Sequence, residues 1–245
     1  MSSRKNLNIA LLGYGKMGKI IEEIAISRGH RITFIANSSN VNYTSEELKS
    51  SDVAIEFSLP EFAVSNITKC IKAGVPVAIG TTGWYNDLPK VIDLVQYENG
   101  CILPATNFSV GVNIFFEINK QLAALMEHQE QYEVNLTEIH HTQKLDAPCG
   151  TAISLAEGIM EEMTRKNKWV KENTDLKNEL AIKSVRKEDV PGTHDVVYES
   201  EIDKITITHE AKNRRGFALG AVLAAEYIYN KNGVFSMREV LGLKK

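Results

Sequence analysis

Residues 7–39, "LNIALLGYGKMGKIIEEIAISRGHRITFIANSS", decide the fold class of this chain. The apolar run at 7–12 is of the kind buried on both faces in a parallel sheet. A turn carrying Gly13, Gly15 and Gly18 follows at once. Ile20, Ile21, Ile24 and Ala25 then fall at helical spacing, and Gly29 supplies a stop. "RITFIAN" (31–37) reads as a second strand. GxGxxG at the corner between a strand and a helix has a physical meaning. The first glycine permits the tight turn, the second lets backbone N–H groups approach a pyrophosphate, and the third lets the helix sit close to the sheet. A tight turn with no ligand is the plainer alternative, and the strand before and helix after argue against it.

Outward from this unit the alternation continues. "DVAIEFS" (52–58) is a third strand, followed by Pro60 and a helix carrying Ala63, Ile67, Cys70 and Ile71. "GVPVAIGTTG" (74–83) is a fourth strand, and after another helix "GCILPATNFS" (100–109) is a fifth. An α/β chain with a Rossmann-like doubly wound parallel sheet is expected, with ligands at the carboxyl ends of the strands. From Ser109 the pattern changes to a helix at 110–131, a strand at 132–141 and a helix at 151–167. Strands at 180–186, 194–201 and 203–211 then follow at hairpin-like intervals. They predict a second α+β domain with a mixed or antiparallel sheet. Residues 167–178 read as a polar surface loop, and residues 217–242 return to helix. The domains expected are residues 1–106 with 215–245 for dinucleotide binding, and residues 107–214 for substrate binding and oligomerisation.

Composition limits the partners. The chain has 245 residues, 43% hydrophobic and 24% charged, with a formal net charge of −3. Nucleic-acid binders concentrate basic surface, so none is expected. No apolar run is long enough to suggest a membrane span. The N-terminal apolar stretch of about five residues is short for a signal peptide. Cys70, Cys101 and Cys149 lack CxxC spacing, which argues for a reducing, cytoplasmic setting without disulfides or structural zinc.

The second strand ends in Asn37 and Ser38 where an acidic residue would bind the ribose 2′-hydroxyl of NAD. No arginine stands there for a 2′-phosphate, so NADH and NADPH are both admitted. "GTTGW" (80–84) and "ATNFS" (105–109) end the fourth and fifth strands. They face the same crevice as Gly13 and suit a nicotinamide ribose and ring.

"EIHHTQKLDAPCGTA" (138–152) allows three readings. A metal site would need His140 and His141, which adjoin on a strand and point to opposite faces, with Asp146 or Cys149 as third ligand. Catalytic zinc spacing is absent and no metal is expected. A Cys149 nucleophile is conceivable at a helix N-terminus, but a small capping residue is the plainer reading. A pocket for an anionic substrate uses more of the stretch. One histidine with Lys144 offers charge and protons, Asp146 and Pro148 shape the loop, and the Gly150 and Thr151 amides can hold a carboxylate.

This stretch closely resembles the substrate-binding signature of the dihydrodipicolinate reductase family, E-x-H-H-x-x-K-x-D-A-P-S-G-T-A, with Cys149 in place of the serine. "GYGKMG", "GTTG", "NFSVGVN" and "THEAKNRRGFALGA" are similar to other parts of that family, so the resemblance covers nearly the whole chain. It implies NAD(P)H-dependent reduction of 4-hydroxy-tetrahydrodipicolinate in lysine and diaminopimelate biosynthesis by a homotetramer. His140 would be the catalytic proton donor/acceptor and Lys144 a second proton donor. His141, Gly150 and Thr151 would bind the carboxylates of a small dicarboxylate substrate. The cofactor would be held by Gly13, Tyr14, Gly15, Lys16, Met17, Gly18, Asn37, Gly80, Thr81, Thr82, Ala105, Thr106, Asn107, Phe108, Arg214 and Phe217. Two rivals keep the fold: a non-catalytic NAD(P)-sensing protein, which needs no histidine–lysine loop, and another two-domain dehydrogenase such as an aspartate or homoserine type.

Overall fold

The computed structural model describes residues 5–243. Residues 1–4 and 244–245, which the expected first domain includes, lie outside the described residues. The chain begins with β1 (Asn8–Leu12), α1 (Lys16–Ser27), β2 (Arg31–Ala36), β3 (Val53–Glu56) and α2 (Pro60–Ala73). It continues through β4 (Val77–Ile79), α3 (Leu88–Tyr97), β5 (Cys101–Pro104), α4 (Val110–Met126), β6 (Glu133–His140) and α5 (Gly150–Glu162). Then come β7 (Lys168–Lys171), β8 (Glu179–Arg186), β9 (Thr193–Glu199), β10 (Lys204–Glu210), α6 (Arg215–Ile228), β11 (Gly233–Val234) and α7 (Met237–Val240). Two compact units result, Met1–Val110 with Arg214–Lys245, and Gly111–Asn213.

The first unit is built on a six-stranded sheet in the order β11-β5-β4-β3-β1-β2, and every neighbouring pair is parallel. The run at 7–12 is buried on both faces. Ile9 and Leu11 pack into a core with Ile21, Ala25 and Val222, and Ala10 and Leu12 into another with Ile67, Ile71 and Val91. Each of the Ile, Leu and Val side chains, fully buried, contributes about 1.5–3 kcal/mol. Pro60 opens α2 and Gly74 caps it in the left-handed region at φ 70°. Strand order reverses between β1 and β3, which places a crevice at their carboxyl ends.

The second unit carries a five-stranded mixed sheet, β10-β9-β6-β8-β7. β6 pairs parallel with β8 and antiparallel with β9. Val134, Leu136, Glu138 and His140 alternate along the buried face of β6, and Phe115, Ala123, Leu155 and Ile159 from α4 and α5 share that core.

Several expectations change. Among the described residues only β9 and β10 form a hairpin, because β6 lies between β8 and β9. The polar stretch 167–178 contains β7, an edge strand whose flanking lysines mask half-buried Trp169 and Val170. The helix expected over 110–131 stops at Met126, where its apolar stripe ends and three-residue bonds from Glu127 and Gln129 wind it down. The helix expected to reach 167 stops at Glu162, since Met163 turns extended and buries its side chain completely. β11 interrupts the helical reading of 217–242 and adds a sixth strand beside β5. Asn107–Val110 and Arg214 belong to the first unit, where the Phe108 side chain lies in the core. No helix among the described residues is long and apolar enough to cross a membrane.

Candidate active site

In the first unit the glycine turn is fixed by close approach. A Cβ on Gly13 would lie 2.1 Å from the Phe57 carbonyl oxygen, and its φ of +100° suits glycine alone. A Cβ on Gly18 would lie 2.4 Å from the Gly13 carbonyl oxygen, so the close approach made by the third glycine is to the turn, where the sheet was expected. At Gly15 an added Cβ would meet nothing within 4 Å, so the turn is open there, at the head of α1. That head has no side-chain cap and no acidic residue in its first turn, an arrangement that leaves N–H groups for an anion.

Two cavities of about 380 and 430 Å³ share Gly15, Phe57 and Ser58. Gly13, Tyr14 and Asn37 line the first, and Lys16, Met17, Gly80, Thr81 and Thr82 the second. A Cβ on Gly80 would lie 2.2 Å from the Phe57 ring and would have to push that ring aside. Thr81 accepts the Ser58 N–H at 2.8 Å and so ties the β3 and β4 turns together. Ala105 bonds to the Ile79 carbonyl at 3.0 Å. Phe108 is 2% exposed, its ring spent on the core, so it can offer a ligand only backbone. Thr106, Asn107, Arg214 and Phe217 line neither cavity, and Arg214 is an exposed residue at the head of α6. The sequence reading missed Lys69, which lines the first cavity near Asn37 and Ser38, with its Nζ 3.3 Å from the Val41 carbonyl and 4.0 Å from the Tyr43 ring centre.

In the second unit the sheet register assembles a polar cluster inside the core. Glu138 lies opposite His194 on β9 and Ser184 on β8, and His140 lies opposite Arg186. All share the buried face with Leu136, Val196 and Ile182. Cys149 arrives from above as the N-cap of α5, its sulfur accepting the Ala152 N–H at 3.4 Å. Glu138 has no exposed side-chain surface. Arg186 Nη1 and Nη2 each donate to its Oε1 at 3.2 Å, and the Cys149 N–H donates to its Oε2 at 2.8 Å. Cys149 Sγ is 3.1 Å from His194 Nε2, and the His140 and His194 rings meet edge-on at 5.2 Å.

Burial pushes the Cys149 thiol up to about 12, so the thiol predominates and the nucleophile reading falls. The helix N-terminus that would favour a thiolate is outweighed by desolvation. Burial also lowers His140; Glu138 opposes this, and the Lys144 and Arg186 charges add to it. The imidazole is therefore neutral, with Nε2 buried and without a hydrogen-bond partner. His194 is lowered to about 4, chiefly by burial.

His141 follows the end of β6, half-buried, and its carbonyl accepts the Lys144 N–H in a turn. Lys144 Nζ donates to both Asp146 oxygens, at 2.8 and 3.0 Å. Asp146 and Pro148 were expected to shape this loop, and Arg186 is the larger agent. Its Nη2 donates to the Asp146 carbonyl at 2.7 Å and its Nε to the Lys144 carbonyl at 3.3 Å. Gly150 is exposed, with open space where a Cβ would project, and Thr151 follows in the first turn of α5.

The same two halves appear in comparisons with known proteins. Residues 7–108 match the family model of the dihydrodipicolinate reductase N-terminus, and residues 111–241 that of its C-terminus. The chain belongs to the dihydrodipicolinate reductase family. It is 50% identical over 235 residues to the 4-hydroxy-tetrahydrodipicolinate reductase of Christiangramia forsetii, covering 96% of this chain and 98% of that one. The reductase of Neisseria meningitidis serogroup A is 34% identical over 232 residues, 91% and 84% of the two chains. Among solved structures, a dipicolinate-bound dihydrodipicolinate reductase from Paenisporosarcina sp. TG-14 superposes with a TM-score of 0.75 at 21% identity, covering 96% and 99%, which speaks to the fold. Membership makes the protein a pyridine-nucleotide reductase of lysine and diaminopimelate biosynthesis.

Within this reductase, Glu138, His194 and Arg186 were not singled out from sequence. A signal existed for the first two. Glu138 keeps step with Val134, Leu136 and His140, and His194 with Val196 and Tyr198, so both sit at apolar positions of alternating strands.

Proposed function

We propose that the protein reduces 4-hydroxy-tetrahydrodipicolinate to tetrahydrodipicolinate, with His140 as proton donor/acceptor and Lys144 as a second proton donor. The observation that carries this is the His140 imidazole. Its Nε2 is buried without a hydrogen-bond partner, 3.7 Å from Glu138 Oε2, is held by the sheet register, and adjoins a loop that presents Lys144. NADH or NADPH, held by the Gly13–Gly18 turn, the Gly80–Thr82 turn and the backbone after β5, supplies the hydride when bound. The glycine cradle and the open face at Gly15 fit such a dinucleotide. Loss of water from the hydroxylated ring gives the unsaturated ring that accepts hydride, and the adjacent ring position takes a proton. His141 and the Gly150 and Thr151 amides at the head of α5 bind the carboxylates. Their negative charge works against the Lys144 and Arg186 contributions at His140 and so favours the imidazolium that donates. The exposed edge strand β10 offers a surface for association between copies, and a cytoplasmic homotetramer is the assembly the family resemblance implies.

A coupled assay with freshly generated substrate, run with both cofactors, tests the reaction. His140→Ala and Lys144→Ala should each cut kcat by roughly tenfold to ten-thousandfold while the chain stays folded. Near-normal turnover by both variants would remove these roles. Pyridine-2,6-dicarboxylate should compete with substrate, and size-exclusion light scattering should give four copies. A non-catalytic sensor would bind NAD(P)H and show no substrate-dependent oxidation of it.

A further inference from the structure

We propose that Glu138, His140, Cys149 and His194 form a binding site for a zinc-like divalent cation. One donor atom from each lies within 4.8 Å of all the others, and all four residues are buried. The sequence reading considered only the His140–His141 pair with Asp146 or Cys149. The structure replaces His141 and Asp146 with His194 and Glu138, drawn together by adjacent strands.

Hydrogen bonds alone do not satisfy the cluster. His140 Nε2 is buried without a hydrogen-bond partner and stands 3.7 Å from Glu138 Oε2. The residue is 7% exposed and His194 4%, so water is largely shut out. Glu138 Oε2, His140 Nε2 and His194 Nε2 thus converge on a space in which the thiol offers one proton. A divalent ion satisfies every acceptor at once. Two imidazoles, a sulfur and a carboxylate are the donors zinc takes in tetrahedral sites. The supports around them are those of metal ligands. Arg186 fixes the carboxylate from its far oxygen, and the Cys149 N–H holds the near one. Cys149 makes the difference. The serine of the family signature would leave a harder, neutral oxygen in this position.

An ion here occupies the Nε2 lone pair of His140, so binding and turnover exclude one another. That consequence rests on the proposed role of His140; the site does not. The test is cobalt titration of chelator-treated protein. One equivalent of Co(II) should bind with a near-ultraviolet thiolate-to-cobalt charge-transfer band and visible bands of tetrahedral intensity, both removed by zinc. Cys149→Ser should abolish the charge-transfer band, and His194→Gln should weaken binding by at least about tenfold. Circular dichroism checks that both variants are folded. No charge-transfer band at a large cobalt excess, or a band that persists in Cys149→Ser, would overturn the site. Zinc should also inhibit NAD(P)H oxidation, with recovery on chelation. Cobalt binding without inhibition would instead overturn the role of His140.

Discussion

Replacing Arg186 by methionine isolates the group that joins the buried cluster to the loop bearing Lys144. Its guanidinium makes two 3.2 Å contacts to Glu138, whose side chain is fully buried, and it also donates to the Asp146 and Lys144 carbonyls. Removing one partner of a buried ion pair costs about 3–5 kcal/mol. Arg186 retains 22% side-chain exposure, so water reaches the pair and about 2–3 kcal/mol is the better figure. The two carbonyl bonds are near the surface and add about 1 kcal/mol. A loss of about 3–4 kcal/mol should lower Tm by roughly 6–16 °C for a chain of this size, read by scanning calorimetry at neutral pH. Glu138→Gln in the same background removes the stranded charge, and should restore about 2 kcal/mol of that loss as a coupling energy. The substrate KM should rise in Arg186→Met, because the loop bearing Lys144 loses its tether. A melting point within about 2 °C of wild type, or a double variant as unstable as the sum of the singles, would refute the argument.

The glycine turn separates folding from binding. Gly13→Ala forces a Cβ to 2.1 Å from a backbone oxygen at φ +100°, and should cost about 2–4 kcal/mol in a denaturant melt. Gly15→Ala meets open space, so its melt should be unchanged while NAD(P)H fluorescence titration shows about tenfold weaker binding. Lys69→Ala should raise the KM for NADPH by roughly tenfold, about 1.4 kcal/mol, and leave that for NADH within about twofold. Equal changes for both cofactors would deny Lys69 the 2′-phosphate. Burial alone would raise Glu226, and the Arg28 and His30 hydrogen bonds outweigh it and hold the carboxyl below its usual range. A depressed folded value adds stability above the unfolded pKa, and that stability is lost as pH falls through the folded one. The Tm advantage of wild type over Glu226→Gln should therefore be full near pH 6 and vanish in the acid range.

What could be read in advance follows from how local each cause is. The glycine turn is legible because the residues that need it are its own neighbours: strand before, helix after, and a backbone contact that only glycine permits. The apolar run at 7–12 is legible because burial on both faces leaves no polar residue to blur it. β7 was hidden because an edge strand can be polar, and β11 because two residues carry no period. The same division runs through the site. His140, Lys144 and Cys149 lie within one stretch of sequence, whereas His194 and Arg186 are 54 and 46 residues from His140 and reach it only through register. That register also explains why Glu138, whose only signal in sequence is a charge at an apolar position of β6, governs the cluster in the structure. A carboxylate on the apolar face of β6 is unfavourable by itself, at several kcal/mol for an unpaired ion. It is tolerated because Arg186 and Ser184 of β8 and the start of α5 surround it. Glu138 and Arg186 are then a single unit with His140, and substitutions at any of the three should fail to add.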